Sequence, residues 1–401
     1  MTLEGSFHKH LARATEPAQE CELLTEATLW AQHGPAIWKP KRVDLNPSFY
    51  PIYRWHDLYS YSLVALLLKK GHLDVNPRPI RAALRPDFQY WGGNDTLDSD
   101  IFRLGRPHAS VTRIVSPAEY AERLATALCE DIAAAERFHP AYTNTVLCGG
   151  KDSLNLLLLP WQNPTVALSA APNFDLVCQF VAQNRLSVEV QRLEDRADSD
   201  VQEEEAFLGC CRTDLAHWRW GTHLQQIARE RGPKVLFWKG QVADLYTTPK
   251  WKAFIEPPSK IAVYPRKAYK RLGKYLPAAL DQKIGRMLQP GVIRSTWTRC
   301  AALQGSHMEF LRELTGCLFL SAYHGPRVQR VWCEVDLASA AQSDMRHLVG
   351  RALARREVVY PDRNPAPPPS SFREGLGSPA RFFALLDRVH FPYKRDAATG
   401  T

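Results

Sequence analysis

The sequence predicts an α/β protein: a parallel sheet with helices on both faces, preceded by an irregular N-terminal segment and followed by a helical C-terminal part. Three observations predict it. From about residue 140 to 240, short strand-like runs alternate with stretches of helical periodicity, the pattern of strands joined by crossover helices. The run at 234–238 is largely apolar, as strands covered on both faces are, and the strand-like run at 143–147 ends in apolar Val146-Leu147. The first of them ends in a glycine pair that opens into a helical pattern, at the carboxyl end of a strand, where open α/β sheets bind ligands.

At 401 residues the chain is long enough for two domains or one domain with large additions, with boundaries expected at 1–115 and 116–401. It is 45% hydrophobic and 23% charged, which excludes wholesale disorder. Lys plus Arg number 51 against 42 Asp plus Glu, a net +9 that suits phosphate-bearing ligands or an anionic partner and also serves solubility. Nine cysteines are scattered with no C-x-x-C pair, so they read as reduced, mostly buried thiols, and the Cys210-Cys211 pair reads as packing. The first 18 residues lack an apolar core of signal-peptide length, and runs such as 63–68 are too short to span a bilayer. A cytoplasmic protein with no membrane partner is therefore expected.

Along residues 1–115, aromatics interleave with basic residues: Trp38, Tyr53, Trp55, Tyr59 and Tyr61 beside Lys39, Lys41, Arg42 and Arg54. That pattern invites base stacking, but residues 57–70 carry an apolar helical face that the aromatics would cover, and core packing is the stronger reading. Ser116-Pro117 reads as a helix N-cap followed by proline at the first helical position, opening a helix over 118–137. Then come strand 143–147, helix 153–159, strand 165–169, helix 174–184, strand 187–193, helix 217–231 and strand 234–238, a core falling within 140–250. Beyond 250 strand signals fade. Residues 260–274 are strongly basic, helices are expected near 276–289, 307–320 and 336–356, and the proline-rich run 361–369 reads as a loop.

The chemistry concentrates at Leu147, Cys148, Gly149, Gly150, Lys151, Asp152 and Ser153. A glycine pair lets backbone amides approach a ligand that any Cβ would exclude, and the helix start behind it favours negative charge. Lys151 can neutralise a phosphate and Ser153 can donate a hydroxyl hydrogen bond. Asp152 repels phosphate by itself, so its natural role there is to hold Mg²⁺ against the phosphates.

Cys148 to Ser153 resembles the S-G-G-x-D-S pyrophosphate loop of the ATP pyrophosphatases. These include asparagine synthetase, β-lactam synthetase, lasso-peptide cyclase and the tRNA-modifying lysidine and thiouridine enzymes. Cys148 stands where the first serine is usual. A second segment, Lys234 to Tyr246, is similar to the strand-ending G-[E/Q/Y]-G-[A/S]-D of the asparagine-synthetase-like branch: Gly240, Ala243 and Asp244 match, while Val242 replaces the second glycine and Leu245 the common glutamate. Pro172-Asn173-Phe174-Asp175 and the elements to Leu193 follow the same family order.

The resemblance implies a PP-loop, HUP-like fold that binds ATP and Mg²⁺ and activates a carboxylate. The acid attacks the α-phosphate, pyrophosphate leaves, and an amine attacks the acyl-adenylate to give an amide or lactam. Leu147 to Ser153, Ser169 and Gly240 would line the nucleotide. Asp152 and Asp244 would hold the metal and, with Lys151 and Gln241, form the catalytic set. The departures are informative. Gln241 occupies the position of a catalytic glutamate or tyrosine and cannot act as a base. In the stretch 322–334, similar to the family's A-H-G-x-E-x-R-x-P-F-x-D, Arg327 and Gln329 occupy the glutamate and arginine positions. Residue 2 is Thr rather than a nucleophilic cysteine, and the front segment is too short for a complete glutaminase domain, so the amine should come from the substrate itself, a small molecule or peptide. Two other readings stand beside this one. One is a PP-loop enzyme that adenylates a tRNA base, suggested by the basic stretch 260–274. The other is a scaffold that keeps the fold and the ATP but not the turnover. Oligomeric state is not legible.

Overall fold

The computed structural model describes residues 11–12, 14–25, 30, 37–45, 52–77, 96–104, 115–193, 221–240, 243–247, 311–312, 315–334, 344–361 and 379–394. The expectations for the basic stretch 260–274, for Gln241, for the Cys210-Cys211 pair, for a helix at 276–289 and for nearly all of the proline-rich run lie outside these residues.

The N-terminal segment, expected to be irregular, contains a sheet. Strands β1 (Gln19–Thr25), β2 (Trp38–Asp44), β3 (Tyr53–Trp55) and β4 (Leu58–Ser60) are followed by helix α1 (Leu63–Lys70), β5 (Leu73–Asp74) and β6 (Phe102–Arg103). The sheet order is β1-β2-β4-β3-β6, with β1 and β2 parallel and the other pairs antiparallel. β1 and β2 run seven residues but are largely exposed, and β3, β4 and β6 are two or three residues long, which is why proline and aromatic punctuation masks them. The helix expected over 57–70 begins later, because Ser62 caps it by accepting from the Ala65 amide, and Gly71 closes it in the left-handed conformation at φ 81°. Trp38, Tyr53 and Tyr61 are buried in the core, as the packing reading expects.

Helix α2 (Pro117–Phe138) starts as predicted, with the Ser116 hydroxyl accepting from the Glu119 amide at 3.1 Å. It leads into β7 (Thr143–Leu147), a 3₁₀ helix (Lys151–Leu158), β8 (Thr165–Ala170), α3 (Phe174–Gln183), β9 (Glu189–Leu193), α4 (Gly221–Arg231), β10 (Val235–Lys239) and α5 (Ala243–Thr247). The chain then supplies β11 (Leu318–Ser321), α6 (Pro326–Glu334), α7 (Met345–Ala354), α8 (Pro379–Arg388) and β12 (Tyr393–Lys394). The helix expected over 307–320 is corrected at its end: residues 311, 312 and 315 are helical, but Leu318–Ser321 is a strand, four consecutive buried residues that pair with β10. The central sheet therefore draws on residues beyond 250, so the core and the C-terminal part are one structure. β12 likewise returns to pair with β5 of the N-terminal segment.

The second sheet is wholly parallel, in the order β11-β10-β7-β8-β9. Val235 to Trp238 on β10 are all buried, so both faces of that strand are covered and alternation is lost. Two interlocks join the sheets. The Trp30 indole donates to the Ser321 carbonyl at 3.3 Å, and Arg312 donates to the carbonyls of Phe319 and Trp30 with its guanidinium over the Tyr61 ring. One continuous hydrophobic core results. No helix among the described residues is long and apolar enough to cross a membrane.

Candidate functional site

The strand order fixes where a ligand would bind. Numbered within this sheet in chain order, the strands lie 5-4-1-2-3 across it, so the connections leaving β7 and β10 run in opposite directions along the sheet. In such sheets ligands bind outside the carboxyl ends of these two strands, at the topological switch point. Leu147 and Lys239 are register partners at the last residues of the two strands. The glycine loop after Leu147 and the Gly240 to Asp244 segment after Lys239 therefore leave the sheet side by side.

The loop is held from beneath. The Cys148 amide donates to the Leu168 carbonyl at 2.7 Å, and the Cys148 carbonyl accepts from the Ser169 hydroxyl at 2.7 Å. The Asn173 side-chain amide donates to the Gly149 carbonyl at 2.9 Å. Gly149 is exposed, whereas Gly150 is buried at φ 143° and ψ −164°, backbone that a side chain would strain. That conformation turns the chain sharply into the 3₁₀ helix, where the Ser153 amide donates to the Gly150 carbonyl at 3.2 Å. The apolar pattern predicts an α-helix over 153–159. The tighter winding instead persists for eight residues, long for this geometry. It is fixed laterally by buried Asn155, which donates to the Arg346 carbonyl on α7 and accepts from the Tyr360 hydroxyl.

Several predicted roles change in kind. The Ser169 hydroxyl is spent on the loop backbone, so it shapes the site rather than reaching into it. Cys148 is 1% exposed, and burial pushes its thiol up to about 12, which leaves it a packing residue in the serine position. Ser153 is buried at the foot of the helix. Lys151 and Asp152 open that helix and Asp244 is the second residue of α5; their backbones stand at the switch point, while their side chains lie outside the described part. The Ala243 amide donates to the buried Gly240 carbonyl at 3.1 Å, so Asp244 sits inside the first turn rather than capping it from outside. Among the described residues no cluster of three His, Cys, Asp or Glu could hold a metal ion.

Arg327 and Gln329 have structural positions. Arg327 pairs with Glu130 and Asp131 on α2 at 3.1 and 3.0 Å, and Gln329 donates to the His324 carbonyl at 2.6 Å. Asp131 also accepts from the Arg327 and Val328 amides, capping α6 from another helix. A Cβ on Gly325 would lie 2.2 Å from the Asp131 carboxylate, so only glycine lets the cap close. Burial raises the Asp131 carboxyl to about 6 against the pull of Arg327 and these amides.

Two residues at the switch point escape the motif reading. Asn173 enters it only through its place in the family order. Lys239 enters it only as one position of the Lys234 to Tyr246 segment, although a lysine closing an otherwise apolar run between two anion-favouring loops is the signal that would find it. Its side chain is only half-buried, yet protein packs densely enough around it that desolvation lowers the ammonium to about 7. What the site offers chemically is a glycine-shaped cradle, a helix start and a lysine on a strand end. Neither a protein-family model nor a curated protein sequence matches the chain.

Proposed function

We propose that this protein is an ATP-dependent amide or lactam synthetase of the PP-loop kind. It activates a substrate carboxylate as an acyl-adenylate, releases pyrophosphate and passes the acyl group to an amine of the substrate itself rather than to ammonia released from glutamine. One observation carries the reading: the two motif segments, Cys148 to Ser153 and Gly240 to Asp244, are about 90 residues apart in sequence yet leave adjacent strands at the switch point. The strand order, the backbone of Gly150 and the loop bonds from Ser169 and Asn173 suit a cradle for a nucleotide polyphosphate.

In this reading the amides following Gly149 hold the departing pyrophosphate, a preorganised set of donors that needs no rearrangement as charge develops. Asp152 and Asp244 would hold Mg²⁺, which neutralises phosphate charge when bound. The test is carboxylate-dependent exchange of labelled pyrophosphate into ATP, run over pools of candidate acids with Mg²⁺. Exchange that is present in the wild type and at least about 100-fold lower in Asp152→Ala is the expected result. ATP binding without exchange for any acid would favour the non-catalytic reading, and absence of ATP binding would remove the nucleotide altogether.

A further inference from the structure

We propose that Lys239 is a phosphate-binding residue of the switch point and that its amine takes up a proton as the polyanion enters. The inference rests on the nucleotide reading above and adds to it a residue that the loop motifs do not contain.

Position comes first. Lys239 ends β10 with Leu147 of β7 as its register partner on one side and Ser321 of β11 on the other. Neither of these partners titrates, so at that level of the three strands the lysine is the ionisable side chain. The glycine loop leaves the sheet one residue beyond Leu147, and the Gly240 carbonyl bond turns the chain into α5 one residue beyond Lys239. A ligand seated at the switch point would therefore lie beside the residue that ends β10, between the two loops. The titratable residues on the neighbouring elements include Cys148 in the glycine loop, Lys151 and Asp152 on the 3₁₀ helix, His223 on α4, Asp244 and Tyr246 on α5, and Tyr323 and His324 after β11.

The chemistry follows from the surroundings. Desolvation lowers the ammonium to about 7, so near neutral pH the site without ligand holds the lysine partly as the neutral amine. A polyphosphate brought alongside favours the charged form. Binding then draws one proton from solvent onto Nζ, and without the polyanion the neutral form spares the site the cost of desolvating a full charge. At alkaline pH the ligand must supply the energy to charge the amine, and affinity falls.

Calorimetry on the full chain tests this, with ATP in the presence of Mg²⁺ and inorganic pyrophosphate as probes, in buffers of different ionisation enthalpy. Above about pH 7.5, ATP should bind with uptake of close to one proton, and its affinity should fall by up to about tenfold per pH unit. Lys239→Arg, charged throughout, should keep binding and lose both the proton uptake and the pH dependence. Lys239→Met should bind at least about tenfold more weakly at pH 7, with no proton uptake. If wild type and Lys239→Met bind ATP equally, with the same proton count, the lysine assignment fails while the nucleotide reading stands. If the wild type binds neither probe, the nucleotide reading itself fails. Retained thermal unfolding cooperativity in Lys239→Arg separates a binding change from a folding defect.

Discussion

Two lysines in this molecule are pressed by the same force and end on opposite sides of the ordinary lysine range. Lys70, at the end of α1, is 2% exposed, and burial by itself would lower its ammonium. It is instead held well above that range, because Asp100, Asp74 and Asp98 accept from it at 2.8 to 3.0 Å. Lys239, at the end of β10, is pushed down to about 7 by desolvation. The contrast teaches that burial raises the stake and the balance of neighbouring charge decides the direction: three carboxylates outweigh it at Lys70, whereas desolvation prevails at Lys239. Lys70 is a staple that joins α1, β5 and the 98–101 turn. Lys239 is a group poised to change its charge.

Breaking the staple should give the largest effect. Lys70→Met leaves Asp98, itself 1% exposed, as a buried carboxylate whose remaining donors are the backbone amides of Asp74, Asp100 and Ile101. A loss of about 3 kcal/mol is expected, the low end for breaking a buried pair because those amides remain. Urea denaturation reads it directly; a midpoint shift equivalent to less than about 1 kcal/mol would show that the carboxylates simply take up protons. Throughout the neutral range the Lys70 contribution should be constant. Its folded value lies above the unfolded one, so the stabilisation is present below the unfolded value and is lost only as pH rises through the folded one.

Asp131 sharpens the comparison from the acidic side, since this buried carboxylate has one arginine partner where Lys70 has a surplus of carboxylates. Asp131→Ala removes the cap on α6 and the bond to Arg327, and should cost about 2 kcal/mol by denaturation. Its pH dependence has a definite direction. The folded carboxyl sits at about 6, above its unfolded value of 3.8, so its contribution is fully present below the unfolded value and is lost as pH rises through about 6. Subtracting the stability profile of Asp131→Asn from that of the wild type between pH 4 and 7 should show a relative gain for the wild type at the acid end.

How much of this is legible in the sequence depends on whether an element's signal is local. Ser116-Pro117, the strand ending at Leu147 and the glycine turn after it announce themselves through caps, β-branched residues and backbone freedom, and each stands where the residues indicate. β11 does not, because Leu318–Ser321 is four residues long and becomes a strand only by pairing with β10, about eighty positions away in the chain. The N-terminal strands are hidden for a different reason: β1 and β2 are largely exposed, so they carry no apolar signal. The 3₁₀ winding of Lys151–Leu158 is not legible either, since lateral bonds from Asn155 to α7 and Tyr360 are tertiary facts. At the site, residue types point to the loop but not to how each is used: Ser169 and Asn173 brace backbone carbonyls, and Arg327 turns away to α2.

The smallest expected effect isolates Lys239 without any ligand. Its folded value lies below the unfolded 10.5, at about 7, so across that interval the unfolded chain binds the proton that the folded chain has released. Stability therefore rises with pH from about 7 toward 10, the opposite of what Asp131 does between 4 and 6. Other groups titrate in this window, so the measurement is the difference between the profiles of wild type and Lys239→Met. That difference should amount to on the order of 1 kcal/mol between pH 7 and 9, below the ceiling set by the full shift because water reaches a half-buried amine. At pH 7 the methionine variant should be the more stable of the two, since it no longer asks a desolvated site to carry a charge. If the two profiles run parallel, Lys239 carries its proton at the switch point as an ordinary lysine does, and its place between the loops serves packing.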